Sequence, residues 1–525
     1  MKKTNILTLL ITLLIATSSV YSQQKPNVVM IVLDDLNDYL GVMDGHPQTK
    51  TPHMDKLANE GVLFDNAHSN APVCAPSRAS FMKGILPSTS QNYGFTPFYK
   101  NNILANSKSL SVYAAENGYK TYQTGKIFHH RHKEEWQHMG VKKSQEPLAY
   151  NGKKVVGHPS VPESYRNIGP LDGTFASLAD IPSVPASKNS PGYTGWWHQE
   201  KKKKFRYVSD DDRDLLTDEK SVNWFKNTIS TLESNKNTDE PFFIGIGLMN
   251  PHTPLVVPQK YFDKFPLESV KIPVIKEDDN ADCKYDEVLS GSKGRTHFTA
   301  LKNSYSTLDE GLRRYLQAYL ACVSFADDMV GGIMNIINNS IYKDNTIVIL
   351  FSDHGYNMGE KDYLFKNSLW EESTRVPLII KDPRYAHNAG KTVKHPVSLV
   401  DIYPTVSELC GLQGTTLISN QGASLDGYSL KPFLENVNTE KWEGPDVALT
   451  VVLNQASKKP EDQNYSVRSR DYRYVRYSNG SEELYDHRND SHEWVNEADN
   501  PRYAQVKKEM RDALEEQIKR VNKNN

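Results

Sequence analysis

The chain is 525 residues long, 24% of them charged, with a formal net charge of -2 at pH 7. Such a balance gives no broad positive field to gather nucleic acid or to settle on an acidic membrane, so any polyanion handled here must be gripped by a local site. The four cysteines, Cys74, Cys283, Cys322 and Cys410, are too few for a disulfide framework and show no paired metal-ligand spacing.

The amino terminus, "MKKTNILTLLITLLIATSSVYSQQ", has two lysines, an apolar run from Ile6 to about Ala16, and then small polar residues with Val20 and Ser22 suited to a cleavage site. This pattern predicts a secretory signal peptide over residues 1–22 and a periplasmic or secreted mature protein. The apolar run is shorter than the ~20 residues that cross a bilayer, and no later stretch reads as a stop-transfer segment, so no membrane span is expected. The rest is too long for one small core and points to one large domain with a smaller appendage.

Five apolar runs of strand length follow: "NVVMIVLDD", "GYKTYQTGK", "FFIGIGLMNPH", "TIVILFSDH" and "VPLIIKD". The first four end at Asp34-Asp35, Lys126, His252 and Asp353-His354. Their lack of polar alternation predicts strands buried on both faces. Between them, "TPHMDKLANEG" has Thr51 as N-cap, Pro52 at the first helical position and Gly61 as terminator. In "CAPSRASFMKG", Pro76 and Gly84 bracket a short helix whose amino terminus adjoins Cys74. "RRYLQAYLACVSFADDMVGGIMNIINN" spaces its apolar residues three and four apart, as a long amphipathic helix does, directly before the Thr346 to Phe351 strand. Alternating strands and helices predict an α/β fold around a mostly parallel sheet, whose active residues gather at the carboxyl ends of strands. Cys322 and Cys410 sit among small apolar helical residues and are expected as buried thiols, whereas Cys283 lies in a polar loop and receives no assignment.

The stretch from about Glu134 to Thr217 is rich in Pro, Gly, Ser and Lys with little periodicity, which predicts long surface insertions, with "KKKK" at 201–204 a solvated face. Beyond about residue 438, "ALTVVLN", "YSVRSR" and "YRYVRYS" predict a small antiparallel sheet, and "PRYAQVKKEMRDALEEQIKRV" a closing helix. The expected division is a large domain over 23–438 and a subdomain over 439–525.

The polar residues then suggest chemistry. A helix amino terminus at Cys74 and the Arg78 guanidinium one turn on favour an anion, or a thiolate, at that position. Asp34, Asp35 and Asp353, with His354, bring carboxylates and an imidazole to the ends of two strands. Carboxylates so crowded need a cation, and oxygen-rich ligation points to calcium or magnesium rather than zinc. Lys126, His129, His252 and Lys366 add ammonium groups and imidazoles, and a metal beside so many cationic or proton-donating groups suits an anionic ester, sulfate or phosphate.

At this point the chain resembles a known family. "CAPSRASFMKG" is similar to the C-x-P-x-R signature of the formylglycine-dependent sulfatases, and the resemblance extends through "LDDLNDYLG", "TPHMDKLANEGVLFDNA", "GKIFHH", "NPHTP", "NTIVILFSDHG", "LFKNSLWEESTRVPL" and "ELYDHRNDSHEWVN". The three-residue step from Lys126 to His129, and Asp353-His354 where many of the family have Asp-Asn, bring it nearest the iduronate-2-sulfatase type. Met249 in "MNPH" departs from that type's H-K-P-H.

The resemblance implies an alkaline-phosphatase-like, mostly parallel sheet sandwiched by helices, with a smaller C-terminal α+β subdomain. It implies one Ca2+ per chain, held by Asp34, Asp35, Asp353, His354 and the modified Cys74. Cys74 itself is expected to become formylglycine (3-oxoalanine) through a formylglycine-generating or sulfatase-maturating enzyme during export. By the same resemblance the aldehyde hydrate attacks sulfur, His252 and Lys366 hold the sulfate and protonate the leaving sugar oxygen, and His129 takes the proton whose loss frees sulfate. Arg78 and Lys126 then stabilise the hydrate and the developing charge. The implied partner is a sulfated carbohydrate, with uronate-containing algal ulvan or glycosaminoglycan fragments foremost. Two other readings stand beside it: a formylglycine-dependent phosphonate or phosphodiester hydrolase, and a non-catalytic sulfated-glycan binding protein whose Cys74 is never oxidised.

Overall fold

The computed structural model describes residues 24–523 apart from 236–239 and 290. The predicted signal peptide, residues 1–22, lies outside the described residues. At the centre is strand β1 (Asn27–Asp34), every residue of which is buried. Its side chains feed two separate apolar layers in turn: Val29, Ile31 and Leu33 pack into one, Val28, Met30 and Val32 into the other. A strand covered on both faces has no polar side to show, which is why the sequence reads as one unbroken apolar run.

Seven further strands complete the main sheet: β2 (Val62–Phe64), β3 (Lys120–Gly125), β4 (His138–Lys142), β5 (Phe242–Pro251), β6 (Thr346–Ser352), β7 (Leu378–Lys381) and β8 (Lys391–Val393). Their spatial order is β8-β2-β7-β6-β1-β5-β3-β4. Strand β1 pairs in parallel with both β5 and β6, β5 with β3, and β3 with β4; β7 runs opposite to its neighbours. The expected mostly parallel sheet is therefore present. Consequently the carboxyl ends of β6, β1, β5 and β3 lie side by side on one edge of the molecule.

Helices cover both faces. One layer holds α1 (Pro52–Glu60), α3 (Thr217–Ser234) and α4 (Leu308–Asn338); the other holds α2 (Cys74–Lys83). By length and apolarity α4 is the one helix among the described residues that could cross a membrane, yet 67% of its most apolar window is buried inside the protein, as in a core helix. Helix α2 starts at Cys74 itself and all of its residues are buried. It stops at Gly84, whose φ of 68° is left-handed and where a Cβ would press within 2.6 Å of Leu425. Cys322 and Cys410 are buried free thiols, and Cys283 is half-buried near the Tyr485 hydroxyl, 3.8 Å away.

In the 134–217 region, where the sequence shows little periodicity and predicts long surface insertions, the structure has regular elements: β4 forms the edge of the main sheet. A second, four-stranded sheet joins Leu148–Tyr150, Val155–Val156, Trp196–His198 and Lys203–Phe205. Strand β4 is half exposed along its length, so no apolar run betrays it. Lys201 to Lys204 are exposed, as the solvated reading has it.

After the main sheet, β9 (Ala448–Val452), β10 (Asn464–Arg468), β11 (Tyr472–Arg476) and β12 (Glu482–Asp486) form an antiparallel meander. Helix α5 (Ala504–Lys523) closes it, burying Met510, Leu514 and Ile518 in a third apolar cluster. The sequence signals the first three strands; β12 carries acidic residues and shows no such run.

Candidate active site

Each of the four central strand ends delivers a polar residue to one point. Strand β1 ends at Asp34, and Asp35 follows in a left-handed conformation, φ 67°, unusual for a residue with a Cβ. Strand β6 ends at Ser352 and hands on Asp353 and His354. Strand β3 ends at Gly125, where any side chain would strike the Gly247 carbonyl; the chain then turns into Lys126. Strand β5 leads through Pro251 to His252.

Helix α2 aims its first residue at this point. The Cys74 sulfur lies 3.5 Å from Asp34 Oδ1, 3.3 Å from His354 Nε2 and 3.4 Å from Lys366 Nζ, and it also meets His129 and His252. Burial alone would keep the thiol protonated, but Lys126, Lys366 and His354 outweigh it and pull the pKa well below the usual thiol value. The position is therefore built for an anion.

Arg78, one turn along α2 and fully buried, bolts the strand ends together. Its Nε donates to Asp353 Oδ2 at 2.7 Å, its terminal nitrogens reach the carbonyls of Lys126, Ile127 and Leu33, and Asp34 Oδ1 is 3.4 Å away. Lys126 donates to Asp34 Oδ2, and Lys366 to Asp35 Oδ1 at 2.6 Å. Burial opposes the charge of Asp34 and so does the thiolate, yet Lys126, His252 and Arg78 hold its carboxyl well below the ordinary range. The same pairing keeps both lysines charged: burial works against them, and Asp34 and Asp35 respectively overcome it.

The two imidazoles facing the thiol are driven apart. Burial, with Lys126 and Lys143 adding to it, lowers the pKa of His129 to about 4, so its ring is neutral at ordinary pH. For His252 burial also disfavours charge, but the Asp35 carboxylate, with Oδ2 at 3.9 Å from Nε2, wins and raises the pKa. His252 Nδ1 lies 2.6 Å from the Thr253 carbonyl, which fixes a proton there and leaves Nε2 toward the thiol. An imidazole whose pKa falls and one whose pKa rises, both facing the same reacting atom, suit the roles of base and acid.

Ligand atoms of Asp34, Asp35, Cys74 and His252 lie within 4.8 Å of one another, as do those of Asp34, Cys74, Asp353 and His354. His354 Nδ1 sits 3.1 Å from the Gly355 carbonyl, so Nε2 points at Cys74, Asp35 and Asp353. Asp35, Asp353 and His354 thus converge with Asp34 on the Cys74 position, and the predominance of carboxylate oxygen suits a hard divalent cation.

All of the residues singled out from sequence, Asp34, Asp35, Cys74, Arg78, Lys126, His129, His252, Asp353, His354 and Lys366, are brought together. Sequence reasoning missed others. Asp218, in the first turn of α3, accepts the backbone N–H groups of Met249 and Asn250 at 2.7 and 3.0 Å and the Asn250 side-chain amide at 2.9 Å, anchoring the loop that carries His252. Ser69 and Ser77 hydroxyls hold the Asp353 carbonyl at 2.7 and 2.6 Å. Asp172 accepts from the Thr253 hydroxyl at 2.7 Å, with His297 Nε2 at 4.0 Å on its other oxygen. Lys143 and Gln145, just past β4, flank His129 and His252.

The mostly parallel sheet with its strand-end cluster, covered by helices on both faces and followed by a small antiparallel sheet, has the expected alkaline-phosphatase-like α/β fold. Comparison with known proteins sharpens this. The sulfatase family model matches residues 26–412, and that of the C-terminal part of N-sulphoglucosamine sulphohydrolase matches residues 359–520. The chain belongs to the sulfatase family and is a sulfuric ester hydrolase. It is 34% identical to a sulfatase of Formosa agariphila across 91% of this chain and 83% of that one. To iduronate 2-sulfatase of Mus musculus it is 29% identical, over 74% of this chain and 69% of that one. A solved 2-O GAG sulfatase shares the fold with a TM-score of 0.66 at 20% identity, covering 95% of this chain and 93% of the other.

Proposed function

We propose that this protein is an exported carbohydrate sulfatase that removes sulfate esters from uronate-containing polysaccharide or oligosaccharide, of the algal ulvan or glycosaminoglycan type, through formylglycine made from Cys74. The observation that carries the reading is the setting of Cys74: first residue of a buried helix, facing Lys126 and Lys366, and met by one imidazole whose pKa is lowered and one whose pKa is raised. An encoded thiol there needs none of the carboxylates around it, whereas a sulfate ester bound to a cation-supported oxygen nucleophile uses them all. In that position Sγ stands in for the oxygens of the aldehyde hydrate, which would supply both the attacking oxygen and the means of releasing sulfate.

Asp34, Asp35, Asp353 and His354 would hold one calcium ion, which when bound neutralises the carboxylates and polarises a sulfate oxygen. Lys366 and Lys126, fixed by Asp35 and Asp34, present ammonium groups to the sulfate oxygens. His252 holds its acidic proton at Nε2 and is placed to give it to the departing sugar oxygen. His129, neutral at ordinary pH, is placed to accept the proton that must leave before sulfate does. Arg78 keeps the strand ends, and hence these groups, in register. Phe95, 56% exposed and edge-to-face with His129 at 5.1 Å between ring centroids, offers an apolar face at the mouth on which a sugar ring can rest. Similarity to iduronate 2-sulfatase supports a uronate in the substrate. Export would bring the chain to a maturation enzyme that reads the Cys74-Pro76-Arg78 segment.

The test has two parts. Mass analysis of the peptide containing Cys74, from active protein made in a host with the maturation enzyme, is expected to show the aldehyde; an intact thiol in fully active material overturns the nucleophile. NMR of defined sulfated oligosaccharides after incubation is expected to show sulfate lost from uronate-containing sugars. Loss confined to sugars lacking uronic acid overturns the substrate class, and dominant activity on aryl phosphodiesters overturns the sulfatase reading altogether.

A further inference from the structure

Beside the strand-end cluster stands a short wall. Strand β4 ends at Lys142, and the chain past it runs beside the strand-end cluster. Lys142 turns outward to an ion pair with Glu200 at 2.9 Å, both ends exposed. Lys143 and Gln145 turn inward: the Lys143 ammonium donates to the carbonyl of His129, and Gln145 Nε2 lies 3.3 Å from His252 Nδ1. Two residues just past β4 thus reach the two segments that carry the catalytic imidazoles, Lys143 at the His129 backbone and Gln145 at the His252 ring.

Lys143 is half-buried, and among the described residues no carboxylate comes within 4.0 Å of it. Burial, then Lys126, lowers its pKa to about 8, against the pull of Asp34. Every other lysine at the site, Lys126 and Lys366, has its own carboxylate. A partly desolvated ammonium held only by a carbonyl oxygen retains capacity for an anion and gains most when one arrives. The scissile sulfate is already served by Lys126, Lys366 and His252.

We propose that Lys143 is a specificity-determining residue that binds a second anionic group of the sugar, a carboxylate or a further sulfate, next to the sulfate being removed. This deepens the sulfatase reading and rests on it. Phe95 meets the His129 ring edge to face, so an aromatic group and this cation both adjoin the His129 segment.

The experiment uses matured full-length enzyme and the variants Lys143→Met, Lys143→Gln and Lys143→Arg, with thermal unfolding checked for each. Two ratios of kcat/KM are measured: a sulfated uronate over its carboxyl-reduced counterpart, and a disulfated hexose over the monosulfated one. In the wild type at least one ratio is expected to exceed one. Met or Gln should collapse it by roughly ten- to a hundredfold, the loss of one charge-assisted hydrogen bond, mostly through KM, while Arg keeps most of it. Whichever ratio responds identifies the anion as carboxylate or sulfate. Ratios that are the same in wild type and variants overturn the proposal, as does a parallel loss on both members of each pair, which marks Lys143 as a prop for His129 or a ligand of the scissile sulfate. A matured wild type that cleaves no sulfate ester brings down the sulfatase reading instead, and this proposal with it.

Discussion

Lys126 and Lys143 both face the space around Cys74, yet they are built in opposite ways. Lys126 leaves the end of β3, is fully buried, and is locked to Asp34, so that its pKa is raised. Lys143 leaves the end of the neighbouring β4, is half-buried, and has only a carbonyl for a partner, so that its pKa falls. The contrast separates two regions. At the strand ends each lysine is paired with a carboxylate, which fixes geometry for the chemistry; on the wall an ammonium is held by a carbonyl alone, which suits recognition. Perturbing the first region should destroy rate or fold, and perturbing the second should change selectivity and little else.

The largest effect is expected at the centre. Cys74→Ala removes the nucleophile while conserving a small buried side chain, and kcat should fall on the order of 10⁴-fold or more. Stopped assays on an aryl sulfate, with folding checked by circular dichroism, measure this; residual activity within tenfold of the parent would remove Cys74 from the mechanism.

Next comes Arg78→Met. It strands Asp353 and Asp34, both fully buried, without their guanidinium, and leaves the carbonyls of Lys126 and Leu33 short of a donor. Breaking a buried pair from one side costs about 3–5 kcal/mol. The matching change on the outer side of the wall, Lys142→Ala, deletes an exposed ion pair at 2.9 Å and should cost no more than about 1 kcal/mol. Denaturant unfolding of the metal-loaded enzyme compares the two, and equal losses would deny that the strand ends are the tightly balanced region.

The same two regions differ in how far the sequence reveals them. Asp34-Asp35, His252 and Asp353-His354 were legible because each ends an apolar run, and an apolar run in an alternating α/β chain is a buried strand whose carboxyl end faces the site; the strand before Lys126, KTYQTG, is more polar. Arg78 was legible through its helical step from Cys74, though nothing local says that it also binds three strand ends. Lys143 and Gln145 follow an edge strand whose residues are half exposed, so no run leads to them. Asp218 opens an ordinary amphipathic helix, and its partners, the N–H groups of Met249 and Asn250, are 31 and 32 residues away. Asp172 reaches Thr253, and His297 reaches Asp172, from separate segments. Groups placed by local periodicity can be read; groups placed by tertiary packing of insertions cannot.

The smallest expected effect ties the regions together. His129 must be neutral to accept a proton, and its pKa of about 4 puts the loss of activity on the acid side near pH 4 rather than near the ordinary imidazole value. Burial is the main cause, and it stays when Lys143 is changed; Lys126 and then Lys143 push in the same direction. Removing the Lys143 charge makes protonation of His129 easier, so the acid limb of kcat/KM should move up in pH, by less than about one unit. Measured on a sugar without a second anion, for Lys143→Met against the parent, the shift reports charge at His129 and not loss of a substrate contact. An acid limb that stays in place would mean that water screens Lys143 from His129, and a limb that moves down would mean that His129 is not the base. A shift upward, smaller than the change in selectivity, would show one side chain acting weakly on the chemistry and strongly on the choice of substrate.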